Sequence, residues 1–284
     1  MISIIICSRK SDISDKLKHN IKLTIGTKYE MIIIDNYEKN HSIFQAYNEG
    51  VRRAQGDILC FMHEDILFHS NNWGKIVTDI FDNKEIGIVG VIGSFYLPKS
   101  LSYWDNMRPY LTGRILGNNE NYIEDFNRFY SNSNISHVAV VDGLFFCIPK
   151  VLFERIAFDE SFKGFHIYDM DICMQVNKIN KKILVAHNIS IQHLGEPNFN
   201  NSFVNNLKYF YNKWKFDLPI SKGFTVDEKV AVAISESALK YWELYSFYLS
   251  SRDEVNHIAH SKAYRLGKFI LRPWSYIQRN FNIF

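Results

Sequence analysis

Residues 58–65 read ILCFMHED, a short apolar run that ends in three polar residues. Such a run is typical of a strand that is buried on both faces of a sheet. The pattern repeats at residues 2–7 (ISIIIC) and 31–34 (MIII), and the stretch between these two runs has helical character up to about Ile25. Alternating buried strands and helices predict an α/β fold, in which ligands bind at the carboxyl ends of the strands.

The rest of the chain predicts more strands and helices, followed by a helical C-terminal part. Ser42 is a suitable N-cap for a helix at 42–54, and a predicted strand at 138–148 is interrupted at Asp142-Gly143. Residues 98–136 are polar and aromatic without a clear period, which predicts a long functional loop. The other predicted elements are strands at 86–95 and 182–191, the latter leading to His193, and helices at 171–179, 226–250 and 263–281.

The composition indicates a globular protein with a basic C-terminal tail. Of the 284 residues, 46% are hydrophobic and 15% are aromatic, which excludes disordered and low-complexity classes. We expect one sheet domain over residues 1–215 and a helical region over 216–284. The net charge of +3 is too small to indicate a nucleic-acid partner. From Val255 onward there is no acidic residue, and the basic residues are Lys262, Arg265, Lys268, Arg272 and Arg279.

The cysteines lie far apart in apolar stretches and form no CxxC pair; they are Cys7, Cys60, Cys147 and Cys173. This pattern favours buried free thiols over disulfides or zinc sites, and free thiols fit a reducing, cytoplasmic compartment. The N-terminal MISIIICS has no basic stretch, and the longest apolar stretch, 86–97, is too short to span a membrane. We therefore expect neither a signal peptide nor a transmembrane helix.

Two common nucleotide-binding motifs are missing from the sequence. It contains neither GxGxxG nor GxxxxGK[ST], which argues against a dinucleotide-binding Rossmann enzyme and a P-loop NTPase. Isolated carboxylates near predicted strand and helix ends are the main candidates for chemistry: Asp35, Asp65, Asp142, Asp169 and Asp171. Each of them, taken alone, is also compatible with a turn-capping aspartate.

Several segments in order resemble glycosyltransferase family 2. They are Asp35-Asn36, AYNEG (46–50), LCFMHEDILF (59–68), VDGLFFCIPKVLFERIAFDESFKGFHIYDMDICMQV (141–176) and ISIQHLG (189–195). HEDILF and FHIYDMD are similar to the glycosyltransferase-like subgroup that includes a streptomycin-biosynthesis protein. The resemblance covers roughly residues 1–215. It implies the GT-A fold, a Rossmann-like mixed sheet flanked by helices, here with a C-terminal helical appendage.

The resemblance implies a divalent metal, Mn²⁺ or Mg²⁺, at the place of the family's DxD-like motif, which here reads His63-Glu64-Asp65. Asp65 is expected to bind the metal, Glu64 to serve the donor side, and His193 to complete the metal shell. A divalent ion stabilises the charge that develops on a leaving nucleotide diphosphate. A turn-capping Asp65 and a structural His193 stay open, and His63 or Glu64 could instead point into the core, since side chains alternate along a strand.

The resemblance also places donor-binding residues on the first strands. The loop Cys7-Ser8-Arg9 is expected to line the base, and Asp35 to accept a hydrogen bond from a uracil imide, although a turn aspartate stays open. Asn48 is expected on the helix that faces the diphosphate, where the family usually has Arg-Asn. Tyr47 replaces that arginine, so a charge-assisted contact is lost.

The family's general base lies in a Glu-Asp pair, which here reads Tyr168-Asp169. The resemblance therefore implies Asp169 as the base that accepts the proton of an acceptor hydroxyl. Around it we expect Asp142-Gly143 near the sugar or in a bulge, His166 beside the substrate or Asp169, and Asp171 on the acceptor side or supporting a helix N-terminus. The aromatic residues of the loop either stack on sugars or pack in the core: Tyr96, Tyr103, Trp104, Tyr110 and Tyr122.

Together these features predict an inverting glycosyltransferase that moves a sugar from a nucleotide donor, with UDP as the expected nucleotide, to a saccharide or lipid-linked acceptor. No QxxRW string is present, which favours single additions over processive synthesis. The alternatives are a catalytically weak sugar-nucleotide-binding or scaffold protein and a nucleotidyltransferase. The second would need a glycine-rich loop after the first strand, where this chain has Cys7-Ser8-Arg9-Lys10-Ser11.

The basic tail, read as a helix, carries an apolar stripe apart from its basic face: Leu266, Ile270, Trp274, Ile277 and Phe281. Pro273 would kink this helix or start a second one. The pattern is compatible with a peripheral protein on an anionic membrane surface. The alternative is that the apolar stripe packs on the catalytic domain or on another subunit of a homo-oligomer, with the basic face solvated.

Overall fold

The computed structural model describes residues 1–37, 40–101, 103–117, 123–125, 133–195, 201–222 and 226–261. It has a mixed α/β architecture. Contacts within the chain define two units, Met1–Leu239 and Lys240–Phe284, and the boundary between them falls inside the last described helix. The predicted domain boundary near residue 215 stays a prediction.

The described residues form strands that are numbered in chain order. These are β1 (Ile2–Ser8), β2 (Tyr29–Asp35), β3 (Ile58–Met62), β4 (Ile66–Phe68), β5 (Ile86–Gly90), β6 (Ile92–Ser94), β7 (Tyr96–Leu97), β8 (Leu111–Leu116), β9 (Ile123–Asp125), β10 (Ile135–Val138), β11 (Val140–Val141), β12 (Phe145–Pro149), β13 (Lys182–Ala186), β14 (Ile191–His193) and β15 (Ile220–Ser221). The helices are α1 (Asp15–Thr24), α2 (Ile43–Arg53), α3 (Trp73–Ile80), α4 (Tyr168–Lys178), α5 (Asn201–Trp214) and α6 (Glu228–His260).

The central sheet has seven strands in the order β10-β13-β5-β12-β3-β1-β2. β1 pairs in parallel with β2 and β3, and β13 pairs in parallel with β5. β12 runs antiparallel between β3 and β5, and β10 is an antiparallel edge strand. The sheet is therefore mixed, as the resemblance implied, and the carboxyl ends of β1, β2 and β3 lie side by side.

A second sheet has the order β11-β6-β8-β14-β4, with β9 paired to β8, and β7 forms a separate pair with β15. Only residues 63–65 separate β3 of the central sheet from β4 of the second sheet. β14 runs antiparallel to β4, so its last residue, His193, lies opposite Ile66. The change of sheet after β3 thus brings the end of β14 next to the end of β3.

Helix α2 packs closely on the central sheet. Its first turn carries a capping box in which Ser42 and Gln45 satisfy each other's backbone N–H groups. A Cβ on Gly50 would lie 2.3 Å from Ile5 Cγ2, so the helix backbone can approach β1 only with glycine at this position. Helix α2 thus packs against β1 and β2 of the central sheet.

Several predicted elements are confirmed with small shifts in their bounds, among them the strands at 2–7, 31–34 and 58–62 and the helix at 42–54. All four cysteines are free, as predicted, but only Cys60, Cys147 and Cys173 are buried, since Cys7 is partly exposed. None of the described helices is both long enough and apolar enough to cross a bilayer. The predicted helix at 263–281 and the basic tail lie outside the described residues.

Three sequence predictions of elements are wrong. The predicted strands at 86–95 and 182–191 are not single strands, since each stretch divides into two strands that belong to different sheets. Residues 98–136 are not one long loop, because β8 within them pairs with β6 and β14. Val91, where the chain passes from β5 to β6, is as apolar as its neighbours, so the sequence does not mark that change of sheet. Between β13 and β14 the polar residues His187, Asn188 and Ser190 do mark it.

Candidate active site

Three side chains that can bind metal meet where the chain passes from the central sheet to the second sheet. His63 and Asp65 follow β3, and His193 ends β14. One ligand atom from each of the three residues lies within 4.8 Å of the others. Asp65 Oδ1 is 3.8 Å from His63 Nδ1 and 3.5 Å from His193 Nε2.

The cluster fits a divalent cation in its chemistry. Asp65 Oδ1 is buried and has no hydrogen-bond partner among the described residues, an arrangement that is costly without a compensating charge. Imidazole nitrogens and a carboxylate oxygen together suit borderline divalent metals. A Cβ on Gly195 would lie 2.1 Å from Asp65 Oδ2, so glycine at 195 leaves room for this carboxylate.

The surroundings shift the pKa values of all three groups. Burial lowers the pKa of His63 to about 4, so its imidazole is neutral at pH 7. Burial also opposes ionisation of His193 and of Asp65, but their mutual attraction is stronger. As a result, the pKa of His193 is raised and the pKa of Asp65 is lowered. Metal binds to an ionised carboxylate and to a neutral imidazole, so the shifts of Asp65 and His63 favour metal binding, whereas the raised pKa of His193 opposes it.

Helix α4 begins beside this cluster with Tyr168. The Tyr168 hydroxyl donates a hydrogen bond to the Gly143 carbonyl (3.0 Å) and lies 2.8 Å from His63 Nε2. A Cβ on Gly143 would lie 2.3 Å from this hydroxyl, so a larger residue would displace it. The preceding residue, Ile167, has φ of 71°, which is rare for a β-branched residue and sets the direction in which α4 starts.

Asp169 contacts the N–H group of Gly143, the same residue whose carbonyl accepts from Tyr168. Its side chain is 3% exposed; Oδ2 accepts a hydrogen bond from Gly143 N (3.1 Å) and Oδ1 accepts one from Met170 N (2.8 Å). Burial, and then the Asp142 carboxylate, raise the pKa of Asp169 to about 7 against the effect of these two N–H groups. A buried carboxyl group with this pKa is suited to accept a proton near neutral pH.

Glu64, which lies between His63 and Asp65 in the β3–β4 connection, holds the loop that follows β1. Ser8 Oγ donates a hydrogen bond to Glu64 Oε2 (2.6 Å), and the backbone N of Arg9 donates to Glu64 Oε1 (3.4 Å). Burial, and then Glu64, raise the pKa of Cys7 to about 12, so this thiol stays protonated. Glu64 thus stabilises the loop that was predicted to line the base.

Asp35 lies at the same edge of the sheet. It ends β2 and stands opposite Ser8 in the parallel register. Its Oδ1 accepts a hydrogen bond from Tyr37 N (3.0 Å), a local turn contact. The structure therefore brings Asp35 beside the loop at residues 7–9, which Glu64 of the β3–β4 connection contacts.

The sequence profile of the glycosyltransferase-like family matches residues 3–214. The chain belongs to this family. No curated protein sequence matches the chain.

Two solved structures show the fold of this glycosyltransferase-like chain. GalNAc-T7 with UDP, GalNAc and Mn²⁺ has a TM-score of 0.52 and 14% identity, over 87% of this chain and 56% of that protein. TarS of S. aureus has a TM-score of 0.50 and 12% identity, over 92% of this chain and 44% of that protein. The chain thus spans about half the length of these proteins, and it shares with them the GT-A fold.

Asn48 of the glycosyltransferase-like domain contacts a loop of the protein with both ends of its amide. Asn48 Nδ2 donates hydrogen bonds to the Phe158 carbonyl (2.8 Å) and to Glu160 Oε1 (2.9 Å), and Oδ1 accepts one from Phe158 N (3.1 Å). Tyr47 beside it is fully buried against Phe61 and Phe158. The structure thus uses Asn48 to join α2 to the segment before α4, and its donor-binding role stays a prediction.

Asp171 joins α4 to α5. It is 1% exposed, and its carboxylate accepts hydrogen bonds from Lys213 Nζ (2.7 Å), Trp214 Nε1 (2.7 Å) and Gln175 Nε2 (2.8 Å). Burial raises the pKa of Asp171, although Lys213 opposes the shift. The structure does not bring Asp171 into contact with the metal-ligating cluster, and an acceptor-binding role for it stays a prediction.

His166 and Tyr103 both contact the ring of Phe203. The His166 and Tyr103 rings each contact Phe203 edge-on, at 5.3 Å between centroids. Burial lowers the pKa of His166 to about 4, so its ring is neutral at pH 7. Burial, and then Asp169 and Asp142, raise the pKa of Tyr103. Of the aromatic loop residues, Tyr122 lies outside the described part of the chain.

The sequence did not decide whether His63 binds metal or points into the core, and it predicted no role for Tyr168. His63 and Asp65 meet through the turn that joins β3 to β4, and no local pattern in the sequence shows that this turn brings the two side chains to one site. No local pattern identifies Tyr168, since its partners are His63 and Gly143, which are distant in sequence.

Proposed function

We propose that this chain is an inverting, non-processive glycosyltransferase that moves a sugar from a UDP-sugar donor to a hydroxyl group of a saccharide or lipid-linked acceptor. One observation carries the proposal: hydrogen bonds connect the metal-ligating cluster, through Tyr168 and Gly143, to the buried carboxylate of Asp169. An in-line displacement requires a group that stabilises the leaving group and a base that accepts the proton of the attacking hydroxyl. The metal-ligating cluster would do the first and Asp169 the second. Membership of the glycosyltransferase-like family supports the same reaction class.

His63, Asp65 and His193 would hold the metal, and we propose Mn²⁺ over Mg²⁺. Mg²⁺ prefers oxygen ligands, whereas two of these three ligands are imidazoles. When bound, the cation supplies positive charge that stabilises the diphosphate as it leaves. The Mn²⁺ in the GalNAc-T7 structure is consistent with this choice.

On the donor side, the protein's own residues bind and orient the nucleotide. Asp35 would accept a hydrogen bond from the N–H of the base, and the Cys7-Ser8-Arg9 loop would line the base. The contacts of Glu64 with Ser8 and Arg9 support this part of the proposal, because they fix the loop before a donor arrives. A fixed loop costs less conformational entropy on binding.

On the acceptor side, Asp169 would take the proton of the attacking hydroxyl group. The hydroxyl oxygen forms a bond to the anomeric carbon, while the bond from that carbon to the diphosphate oxygen breaks and the nucleoside diphosphate leaves with the electron pair. Attack opposite the leaving group inverts the configuration. Asp142, Gly143 and His166 would position the sugars, and Tyr103 and Phe203 would offer ring faces or edges for stacking; the contacts of Gly143 with Asp169 and of His166 and Tyr103 with Phe203 support this assignment.

Four further parts of the proposal rest on the sequence alone. They are transfer of a hexosyl or N-acetylhexosaminyl group, a role in polysaccharide biosynthesis, the streptomycin-type subgroup, and peripheral attachment to the inner face of the membrane through the basic tail.

Sedimentation with anionic vesicles at low salt tests the membrane attachment of the basic tail. Replacing Arg265, Lys268 and Arg272 by Gln should abolish co-sedimentation, and an unchanged pellet would contradict membrane attachment.

A donor screen tests the proposal. The full chain is mixed with UDP- and GDP-sugars and saccharide acceptors, with Mn²⁺, Mg²⁺ or EDTA, and released nucleoside diphosphate is measured. We expect UDP release that requires Mn²⁺ and acceptor, and a fall of about 10²–10⁴-fold in kcat for Asp169→Asn with donor binding retained. Asp15→Asn, which removes a fully exposed carboxylate, is the matched control.

The other outcomes of this screen identify the alternatives. Donor binding without release of nucleotide from any donor would indicate the sugar-nucleotide-binding or scaffold role. Release of pyrophosphate from nucleoside triphosphates would indicate a nucleotidyltransferase. Wild-type turnover by Asp169→Asn would show that another group is the base.

A further inference from the structure

We infer that Tyr168 is a positioning residue for the metal centre. It holds His63 in the tautomer that carries hydrogen on Nε2, so that the lone pair of Nδ1 faces Asp65 and His193. The inference rests on the proposed metal-dependent function and adds to it a residue that does not itself bind metal.

The direction of the hydrogen bonds follows from counting protons. A tyrosine hydroxyl has one hydrogen, and a neutral imidazole has one donor and one acceptor nitrogen. Tyr168 donates its hydrogen to the Gly143 carbonyl at 3.0 Å, so its 2.8 Å contact with His63 Nε2 requires the imidazole to be the donor. Nδ1 of the same ring is then the unprotonated nitrogen, and it lies 3.8 Å from Asp65 Oδ1.

Tyr168 is fixed well enough to play this part. It is 4% exposed, and its ring packs edge-on against Tyr47 at 5.5 Å and Phe44 at 6.3 Å. The absence of a side chain at Gly143 makes room for the hydroxyl. Metal-ligating histidines usually donate their second N–H to such an outer partner, and loss of that partner typically costs 10–100-fold in metal affinity.

The same tyrosine also connects the metal centre to the proposed base. Gly143 accepts a hydrogen bond from Tyr168 through its carbonyl and donates one to Asp169 through its N–H. One backbone residue therefore sets the distance between His63 and Asp169. Changes at Tyr168 should affect metal binding first, since His63 is its direct partner.

The test is Mn²⁺ binding to the full chain without donor, measured from the electron paramagnetic resonance signal of unbound Mn²⁺. Tyr168→Phe keeps the ring and removes only the hydroxyl, and we expect it to weaken Mn²⁺ binding about 10–100-fold. In a His63→Ala background the same change should cost nothing further, because its only route to the metal is gone. Tyr110→Phe, at a buried tyrosine that packs on Tyr96, should leave affinity unchanged.

A second measurement needs no variant. Long-range ¹H–¹⁵N correlation spectra of the metal-free protein report the tautomer of each histidine, and we expect His63 to carry its hydrogen on Nε2. Three results would overturn the inference and leave the proposed function standing. They are hydrogen on His63 Nδ1, equal Mn²⁺ affinity of Tyr168→Phe and wild type, and a full additional loss of affinity when Tyr168→Phe is added to His63→Ala. No Mn²⁺ binding by the wild type would overturn the metal-dependent function, and the inference with it.

Discussion

Asp169 combines a buried position with a proposed role that requires ionisation. At 3% exposure and beside Asp142, its carboxyl group is costly to ionise, and its pKa of about 7 reflects this cost. If Asp169 is the base, only the ionised form is active. We therefore expect kcat/KM to rise with pH through about 7, measured at saturating Mn²⁺. A profile that is flat from pH 5.5 to 8.5 would contradict this assignment.

Substitution of Asp142 should shift the pH dependence of kcat/KM. Its charge raises the pKa of Asp169, and Asp142→Asn removes the charge but keeps an oxygen that can accept the Leu144 N–H. The acid limb of kcat/KM should then shift to lower pH, so that the ratio of activity at pH 6 to activity at pH 8 rises. The exposed Asp15→Asn serves as the control and should leave the ratio unchanged.

The same pKa has a consequence for stability. The pKa of Asp169 in the folded state lies above its unfolded value of about 3.9, so folding favours the protonated form. This contribution is fully present below about pH 4 and is lost as the pH rises through about 7. Asp169→Asn cannot ionise, so relative to wild type it should be more stable at pH 8 than at pH 4 in urea unfolding. The opposite trend would mean that the carboxylate is well compensated in the fold.

Among the elements, the contact between α4 and α5 depends on one buried carboxylate. Asp171 is 1% exposed and pairs with Lys213, which also reaches the 24%-exposed Asp159. Loss of a buried partner typically costs about 3–5 kcal/mol, whereas a partly exposed pair is worth about 1 kcal/mol or less. We expect Asp171→Ala to lower the free energy of unfolding by about 3–5 kcal/mol and Asp159→Ala by much less. Equal losses in urea titrations would show that Lys213, and not burial of Asp171, controls this contact.

Elements that are specified by local signals could be predicted. The run at 58–62 and the Ser42 N-cap of α2 act within a few residues, and the structure has both. β8 was missed because its strand character comes from pairing with β6 and β14. The stretch at 182–191 was predicted as one strand although three polar residues, His187, Asn188 and Ser190, lie between β13 and β14 and give a local signal for the break.

The site shows the same division between local and distant information. Asp65 and His193 were predicted as metal ligands from motif order, and the structure brings them within 3.5 Å of each other. The environment of Asn48 could not be predicted, because its amide is engaged by Phe158 and Glu160, which are far away in the sequence. The contact of Tyr168 with His63 depends on the turn at Ile167, whose φ of 71° has no sequence signal in a β-branched residue.

At the scale of the whole molecule, the metal-ligating cluster joins two sheets. His63 and Asp65 leave the central sheet, and His193 ends a strand of the second sheet. A cation that binds all three would therefore link segments that are far apart in the chain. Because the unfolded chain does not hold these ligands together, binding must favour the folded state.

Thermal unfolding measures this link. At a Mn²⁺ concentration 100 times Kd, stabilisation should be about 2.7 kcal/mol, which for a domain of this size corresponds to a rise in Tm of roughly 5–10 °C. Mg²⁺ at the same concentration should give a smaller rise, since two of the three ligands are imidazoles. His193→Ala should lose the Mn²⁺ effect, while His19→Gln, at an exposed histidine of α1, should keep it. An equal rise in His193→Ala and wild type would mean that the cation binds elsewhere, and the link between the two sheets would then have to come from packing alone.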